Sequence, residues 1–305
     1  MTWQKALAAV AMSTLVAGLP AMPANAASPI APYGAIRAEW LAKGGANGFL
    51  GAPTSNEYSV PGGDPASRME TFIGGNIYWS SATGAHEVHG AILGEYSGSF
   101  GTSAYYGLPL TDESPTWDGI GRYNHFQSGR SIYWTPGTGA HTVYGAIRDD
   151  WASLGWERSA IGYPTFVEMD IDGLQGAKWQ PFVNGNMYWS PATYAHEVHG
   201  AILAEYLGVG GPTAYGLPLT NELITPDGIG RYNHFDGGRS IYWTPGTGAH
   251  VVYGAIRTAW ANLGWERSRL GYPISDEYNN VGGREADFQH GYIQFINGDI
   301  TIHLY

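Results

Sequence analysis

The stretch Gly129–Ile147 reads GRSIYWTPGTGAHTVYGAI, and it returns at Gly238–Ile256 as GRSIYWTPGTGAHVVYGAI. Looser copies run GNIYWSSATGAHEVHGAI over Gly75–Ile92 and GNMYWSPATYAHEVHGAI over Gly185–Ile202. A chain that writes one pattern four times is stacking one structural unit, so the fold is read from that unit first. Ile-Tyr-Trp and Ala-His-x-Val are β-prone runs either side of a Gly-rich turn, which predicts a hairpin. The closing Gly-Ala-Ile opens a helical spacing. Ile147, Trp151 and Leu154 share one helix face and Gly155 ends it, as Ile256, Trp260, Leu263 and Gly264 repeat.

Gly-Ala-Ile recurs at Gly34, Gly90, Gly145, Gly200 and Gly254, in steps of 54 to 56 residues. Five units follow: 34–89, 90–144, 145–199, 200–253 and 254–305. The second and fourth share DGIGRYNHF and the first and third share GN(I/M)YWS, the mark of a doubled pair of units. Each unit carries an x-Gly-x-Pro turn, at Pro53, Pro109, Pro164, Pro218 and Pro273. Gly admits a positive φ there and Pro fixes its own, so the turn reads as a backbone device. The expected fold is mainly β with short helices, in five tandem units. The first unit looks internal and no polar end caps stand out. A closed five-bladed propeller-like ring is therefore favoured over an open repeat solenoid, with Ile30–Gly34 pairing to the C-terminal strand.

The N-terminus opens with Lys5, an apolar run from Ala6 to Leu19, and Ala24-Asn25-Ala26. This is the pattern of a secretory signal peptide, 1–26, leaving one repeat domain over 27–305. The run is short of the ~20 residues that span a bilayer, so a secreted protein with no membrane partner after cleavage is expected. There is no Cys, which excludes disulfides and thiolate metal sites. A net charge of −11 argues against nucleic acid, whose binding needs Lys and Arg on phosphates. No metal or cofactor is expected. Asp170-Ile171-Asp172-Gly173 lacks the closing acidic residue of a calcium loop, and no nucleophile elbow, zinc helix or phosphate loop occurs.

Candidate residues come as repeated sets. A glutamate four residues after each Pro and a basic residue four before a Phe make the pairs Glu57/Arg68, Glu113/Arg122, Glu168/Lys178, Glu222/Arg231 and Glu277/Arg284. These read as salt bridges, or as carboxylates bonded to backbone N–H groups, that tie each hairpin. His86, His141, His196 and His250 hold one equivalent turn position, for a backbone bond or a sugar contact. Tyr78, Tyr133, Tyr188 and Tyr242 alternate with Trp79, Trp134, Trp189 and Trp243. Ile132 shares a face with Trp134, so the tryptophans are expected in the core and the tyrosines outside as ligand contacts. Arg122, Asn124 and His125, with Arg231, Asn233 and His234, form denser polar-aromatic clusters with Tyr123 and Tyr232 in two units. They read either as sugar sites or as loop hydrogen bonding.

The x-Gly-x-Pro turn, the following glutamate, the Arg before Phe, the Gly-x-Ile-Tyr-Trp strand and the Thr-Gly-Ala-His-x-Val-x-Gly-Ala-Ile join together resemble the LGFP repeat family over Gly34–Tyr305. No copy has the literal Leu-Gly-Phe-Pro. The resemblance implies a secreted actinobacterial array of about five repeats, of a kind often joined to a mycolyltransferase or wall hydrolase and held on cell-wall polysaccharide. The expected function is a non-catalytic, cell-wall-associated module binding glycan such as arabinogalactan, with a secreted enzyme as a further partner. The alternatives are a secreted hydrolase and a structural protein-interaction disc. No oligomeric state is implied.

Overall fold

Each repeat builds a four-stranded antiparallel sheet whose strands pair in chain order. The computed structural model describes residues 30–98 and 105–305; the signal peptide expected at 1–26 lies outside them. The first sheet holds β1 (Tyr58–Ser59), β2 (Arg68–Thr71), β3 (Gly75–Ser80) and β4 (Gly84–His89). The second holds β5 (Ser114–Pro115), β6 (Arg122–Phe126), β7 (Arg130–Thr135) and β8 (Gly139–Tyr144). The third holds β9 (Met169–Asp170), β10 (Lys178–Pro181), β11 (Gly185–Ser190) and β12 (Tyr194–His199). The fourth holds β13 (Leu223–Ile224), β14 (Arg231–Phe235), β15 (Arg239–Thr244) and β16 (Gly248–Tyr253). The fifth holds β17 (Tyr278–Asn280), β18 (Gly283–Phe288), β19 (Gly291–Ile296) and β20 (Asp299–Leu304). Gly-Ala-Ile starts the helices α1 (Gly34–Ala42), α2 (Gly90–Gly98), α3 (Gly145–Ser153), α4 (Gly200–Gly208) and α6 (Gly254–Leu263); α5 (Gly211–Tyr215) is a short turn after α4.

The core lies at the junctions between units. Tyr78, Val88 and Met69 leave one face of the first sheet and meet Ile92 and Tyr96 of α2 and Phe126 and Ile132 of the second sheet. The same sandwich recurs around Trp151, Tyr206 and Trp260. Each helix of 9 or 10 residues is too short to persist alone. Clamping between two sheets holds it, and each fully buried Ile or Val contributes about 1.5–3 kcal/mol. The x-Gly-x-Pro turn docks as a fifth edge, with Pro109 bridged to Phe126 and its four counterparts likewise.

Because both sheet faces are covered, the expected sorting holds only for the tryptophans, which pack against the core clusters, and not for the tyrosines, which are buried as well. Tyr78, Tyr133, Tyr188 and Tyr242 are 1–2% exposed and belong to the junction cores. Trp79, Trp134, Trp189 and Trp243 are half-buried. Ile132 and Trp134 do share a face, but Trp134 stands two residues nearer the strand end, where the sandwich opens.

A β-edge leaves backbone N–H and C=O groups unpaired, and these must be satisfied or covered. The next unit does this. Asn124 Nδ2 donates to Glu87 O at 3.2 Å, Gln180 Nε2 to Thr142 O at 2.9 Å and Asn233 Nδ2 to Glu197 O at 3.0 Å. Asn221 Oδ1 accepts the Glu197 N–H at 2.8 Å and Asp276 Oδ1 the Val251 N–H at 3.1 Å. Thus Asn124 and Asn233, sugar candidates from sequence, are placed in the scaffold.

The two ends differ from the interior. The first unit has half a junction core, Ile36, Leu50, Phe72 and Ile77. Its Trp40 is half-buried, where Trp151 and Trp260 are fully buried. In the fifth sheet Glu285 and Gln294 take the places of Met69 and Tyr78. Glu285 accepts bonds from Tyr278, Asn280 and Gln294. On β20, Ile302 is 41% exposed. The ring expected from sequence would press this sheet on α1. Among the described residues, no hydrogen bond, ion pair or core cluster joins them.

Asn124→Ala leaves the Glu87 carbonyl unsatisfied and is expected to cost about 1–3 kcal/mol; an unchanged denaturation midpoint would contradict the edge role. The junctions also titrate. His89 Nδ1 meets Glu87 at 2.7 Å and its Nε2 meets Glu113 at 3.2 Å, and His199 is placed the same way by Glu197 and Glu222. Burial lowers the pKa of each, but the paired carboxylates outweigh it and both are raised. A raised histidine contributes stability below the ordinary value near 6.5 and loses it as pH rises through the raised one. His89→Tyr/His199→Tyr, which copies Tyr144 and Tyr253, should flatten that loss in melting curves taken from pH 6 to 9.

Candidate functional site

The repeated glutamates reach across junctions more than along hairpins. Glu113 and Glu222 meet the preceding unit's histidines, Glu277 Oε1 accepts the Tyr253 N–H at 2.8 Å, and Glu168 bonds the Tyr144 hydroxyl. Pairing within the unit holds for Glu277–Arg284 at 3.1 Å and loosely for Glu57–Arg68 at 3.9 Å and Glu222–Arg231 at 3.8 Å. Lys178 turns instead to Asp170, and Arg122 to the Gly121 carbonyl. The turn histidines donate to backbone: His86 Nε2 to Thr83 O, His141 Nε2 to Thr138 O and His250 Nε2 to Thr247 O, at 2.7–3.0 Å. His196 Nδ1 is buried without a partner, in the one such turn where Tyr194 (φ 63°) stands for glycine. Among the described residues no group of three or more His, Asp or Glu side chains is placed to hold a metal ion.

His125 and His234 behave differently. They lie on β6 and β14 and face the end of the following helix. After α3 and α6 the chain makes a left-handed step at Gly155 (φ 99°) and Gly264 (φ 102°), then a second at Trp156 (φ 59°) and Trp265 (φ 58°). Other units place Gly45 (φ 59°) and Gly211 (φ 60°) at this second step. A left-handed tryptophan costs about 1–2 kcal/mol that glycine does not. Among the described residues, only the two units that follow a Tyr-Asn-His strand carry it.

Around Trp156 the aromatic side chains close ranks. Its ring stacks on Tyr133 with centroids 5.8 Å apart, meets Trp151 edge-on at 5.3 Å and lies 5.6 Å from His125. Tyr123 stacks on Tyr133 at 5.1 Å, and the Arg148 guanidinium lies 5.1 Å over the indole. The second copy repeats this with Trp265, Tyr242, Trp260, His234, Tyr232 and Arg257. It opens into a cleft of about 510 Å³ lined by Pro226, Tyr232, His234, Trp265, Glu266 and Arg267, among others. That size suits a small-ligand site.

The polar groups set a direction. Arg148 Nε donates to the fully buried Ser131 Oγ at 2.7 Å, and His125 Nδ1 lies 2.7 Å from the same oxygen. Guanidinium only donates, and among the described residues Nδ1 is the acceptor in reach of the buried hydroxyl proton, so donation to Nδ1 with the ring N–H on Nε2 satisfies both groups. In the second copy Arg257 Nη2 also lies 3.5 Å from His234 Nδ1, again a donor aimed at that nitrogen. Burial, helped by the neighbouring guanidinium, pushes both histidines down to about 4, so they stay neutral at physiological pH. Each cluster therefore holds a histidine N–H donor beside aromatic walls, and in the second copy His234 lines the cleft. Ser131 is fully buried and bonded to Arg148, which does not suit a nucleophile.

The loop beside each cleft is pinned from the next unit. Tyr163 donates to Asp118 at 2.6 Å, and Tyr272 to Asp227 at 2.7 Å. The third residue of the x-Gly-x-Pro turn thus does more than shape the backbone. Sequence reasoning reached His125 and His234 but passed over Trp156, Trp265, Arg148 and Arg257. The duplicated LGWERS, at 154–159 and 263–268, was the available signal.

No curated protein matches this sequence. Two solved structures, extracellular domains of hybrid two component systems from B. thetaiotaomicron, are 11% and 12% identical with TM-scores of 0.17. Each comparison covers 81% of this chain but 30% or 29% of the other, so the chain spans less than a third of their length. At that level the likeness carries no inference about fold or function. The LGFP repeat profile matches residues 50–102, 107–159, 161–213 and 216–268, each segment starting at an x-Gly-x-Pro turn. The fifth sheet lies beyond the last of them. With four matched segments in step with the sheets, the chain belongs to the LGFP repeat family.

Proposed function

We propose that this protein is a secreted, non-catalytic module that holds a cell-envelope polysaccharide in two equivalent clefts, one at Trp156 and one at Trp265. The observation that carries it is the left-handed tryptophan. Strain of this kind persists where the surroundings enforce it, and it clusters at binding sites. Aromatic walls offer faces for the C–H surface of a sugar ring, and the His Nε2–H donates to its oxygens. The N-terminal leader pattern supports secretion, and the family resemblance supports a wall glycan and a secreted enzyme as partners. Two weak sites on one polymer gain strength through effective concentration. The polar outer face of the fifth sheet supports an open stack in preference to a ring, since terminal repeats of open arrays carry such faces.

Isothermal titration with soluble arabinogalactan tests the reading. Trp156→Gly and Trp265→Gly install the residue that other units already hold there, so the fold is expected to survive. Each should halve the number of sites, and the double variant should abolish binding; full binding by the double variant would contradict the proposal. Both histidines are pushed down to about 4. A lowered histidine is neutral above that value, so affinity should be flat from pH 5.5 to 8 and fall only as pH drops toward 4. A change in affinity between pH 5.5 and 8 would contradict histidines held neutral through that range; below it, protonation at Nδ1 removes the acceptor of the serine proton and charges the buried ring.

A further inference from the structure

The Trp156 cluster repeats the floor of the Trp265 cleft and differs at the rim. The loops 116–121 and 225–230 have the same internal bonds. Asp118 Oδ1 accepts the Ile120 N–H and Asp227 Oδ1 the Ile229 N–H, each at 2.9 Å. Thr116 and Thr225 accept the Gly121 and Gly230 N–H groups at 2.8 Å. Inside this common frame the second loop has Pro226, which lines its cleft, and the first has Trp117. Trp117 is 79% exposed, yet it is held. Its backbone N–H donates to Glu157 Oε1 at 3.0 Å, and the Arg158 guanidinium lies 5.0 Å over its ring. Pro226 has no N–H to offer the equivalent Glu266.

A large apolar ring fixed in water at the mouth of an aromatic cleft is costly unless something covers it. We propose that Trp117 is an added subsite that stacks the next ring of a longer saccharide chain, one ring beyond the unit held at Trp156. This rests on the saccharide reading above. Arg158 occupies one face of the indole, and the exposure of the ring leaves surface for the sugar. The Trp156 cleft is then the extended site. The Trp265 cleft, with Pro226 at its rim, takes the shorter fragment and gains nothing from chain length.

The test uses the full chain with one cleft disabled at a time and size-fractionated oligosaccharides from partial hydrolysis of purified arabinogalactan, read by calorimetry. With Trp265→Gly, leaving the first cleft, affinity is expected to rise about tenfold from one-ring to multi-ring fragments. With Trp156→Gly, leaving the second, it should stay flat. Adding Trp117→Pro to Trp265→Gly should remove the rise, so that long fragments bind like short ones. Adding Pro226→Trp to Trp156→Gly should confer it. A length dependence that survives Trp117→Pro overturns the subsite while the two-cleft reading stands. Absence of binding by the parent chain to every fragment overturns the saccharide reading itself, and the subsite with it.

Discussion

The open edge of the fourth strand is the constraint on which the architecture depends. Residues Glu87, Thr142, Glu197 and Val251 turn backbone groups outward, and in each case the following unit supplies an amide or carboxylate side chain to meet them. An uncovered edge would be an aggregation hazard as well as an energetic loss. Meeting it this way fixes where the next unit sits. The helix, the x-Gly-x-Pro turn and the next sheet then assemble a core at the junction and not within a unit. The first unit has the smallest of these clusters, Ile36, Leu50, Phe72 and Ile77.

Sites follow from the same constraint. Clefts form where the face of one unit meets the helix end of the next, so alternation between units becomes alternation between junctions. The first and third junctions carry a histidine between two carboxylates, and the second and fourth carry tyrosine there and the tryptophan cluster beside it. In the second kind, a glycine position is given to tryptophan at a conformational cost of about 1–2 kcal/mol. Contacts with Trp151, Tyr133 and Arg148 offset it.

Much of this was legible in the sequence because repetition removes ambiguity. The period, hairpin, helix with Ile147 and Trp151 inward, and docked turn all follow from spacing. The burial of Tyr133 did not, because alternation assigns two faces but cannot say that both are covered. The reach of the glutamates across junctions was hidden for a related reason. A pair such as Glu113 and Arg122 lies close in sequence, whereas His89 reaches Glu113 only once two units stack. The cleft was half legible. His125 and His234 stood out by their company, but Trp156 sat in what looked like a helix stop, and its left-handed backbone has no signature in composition. The fifth sheet's polar face was hidden because Glu285 and Gln294 reveal their role only when aligned with Met69 and Tyr78.

The central claim is that the two strained tryptophans mark the ligand-binding clefts. Its most direct test is to follow the indole N–H resonances of the folded protein while soluble arabinogalactan fragments are added. The account predicts that the signals of Trp156 and Trp265 shift together and saturably, while those of Trp79 and Trp189, which lie outside both clefts, stay in place. Saturable shifts confined to Trp79 and Trp189, with Trp156 and Trp265 unmoved, would contradict it.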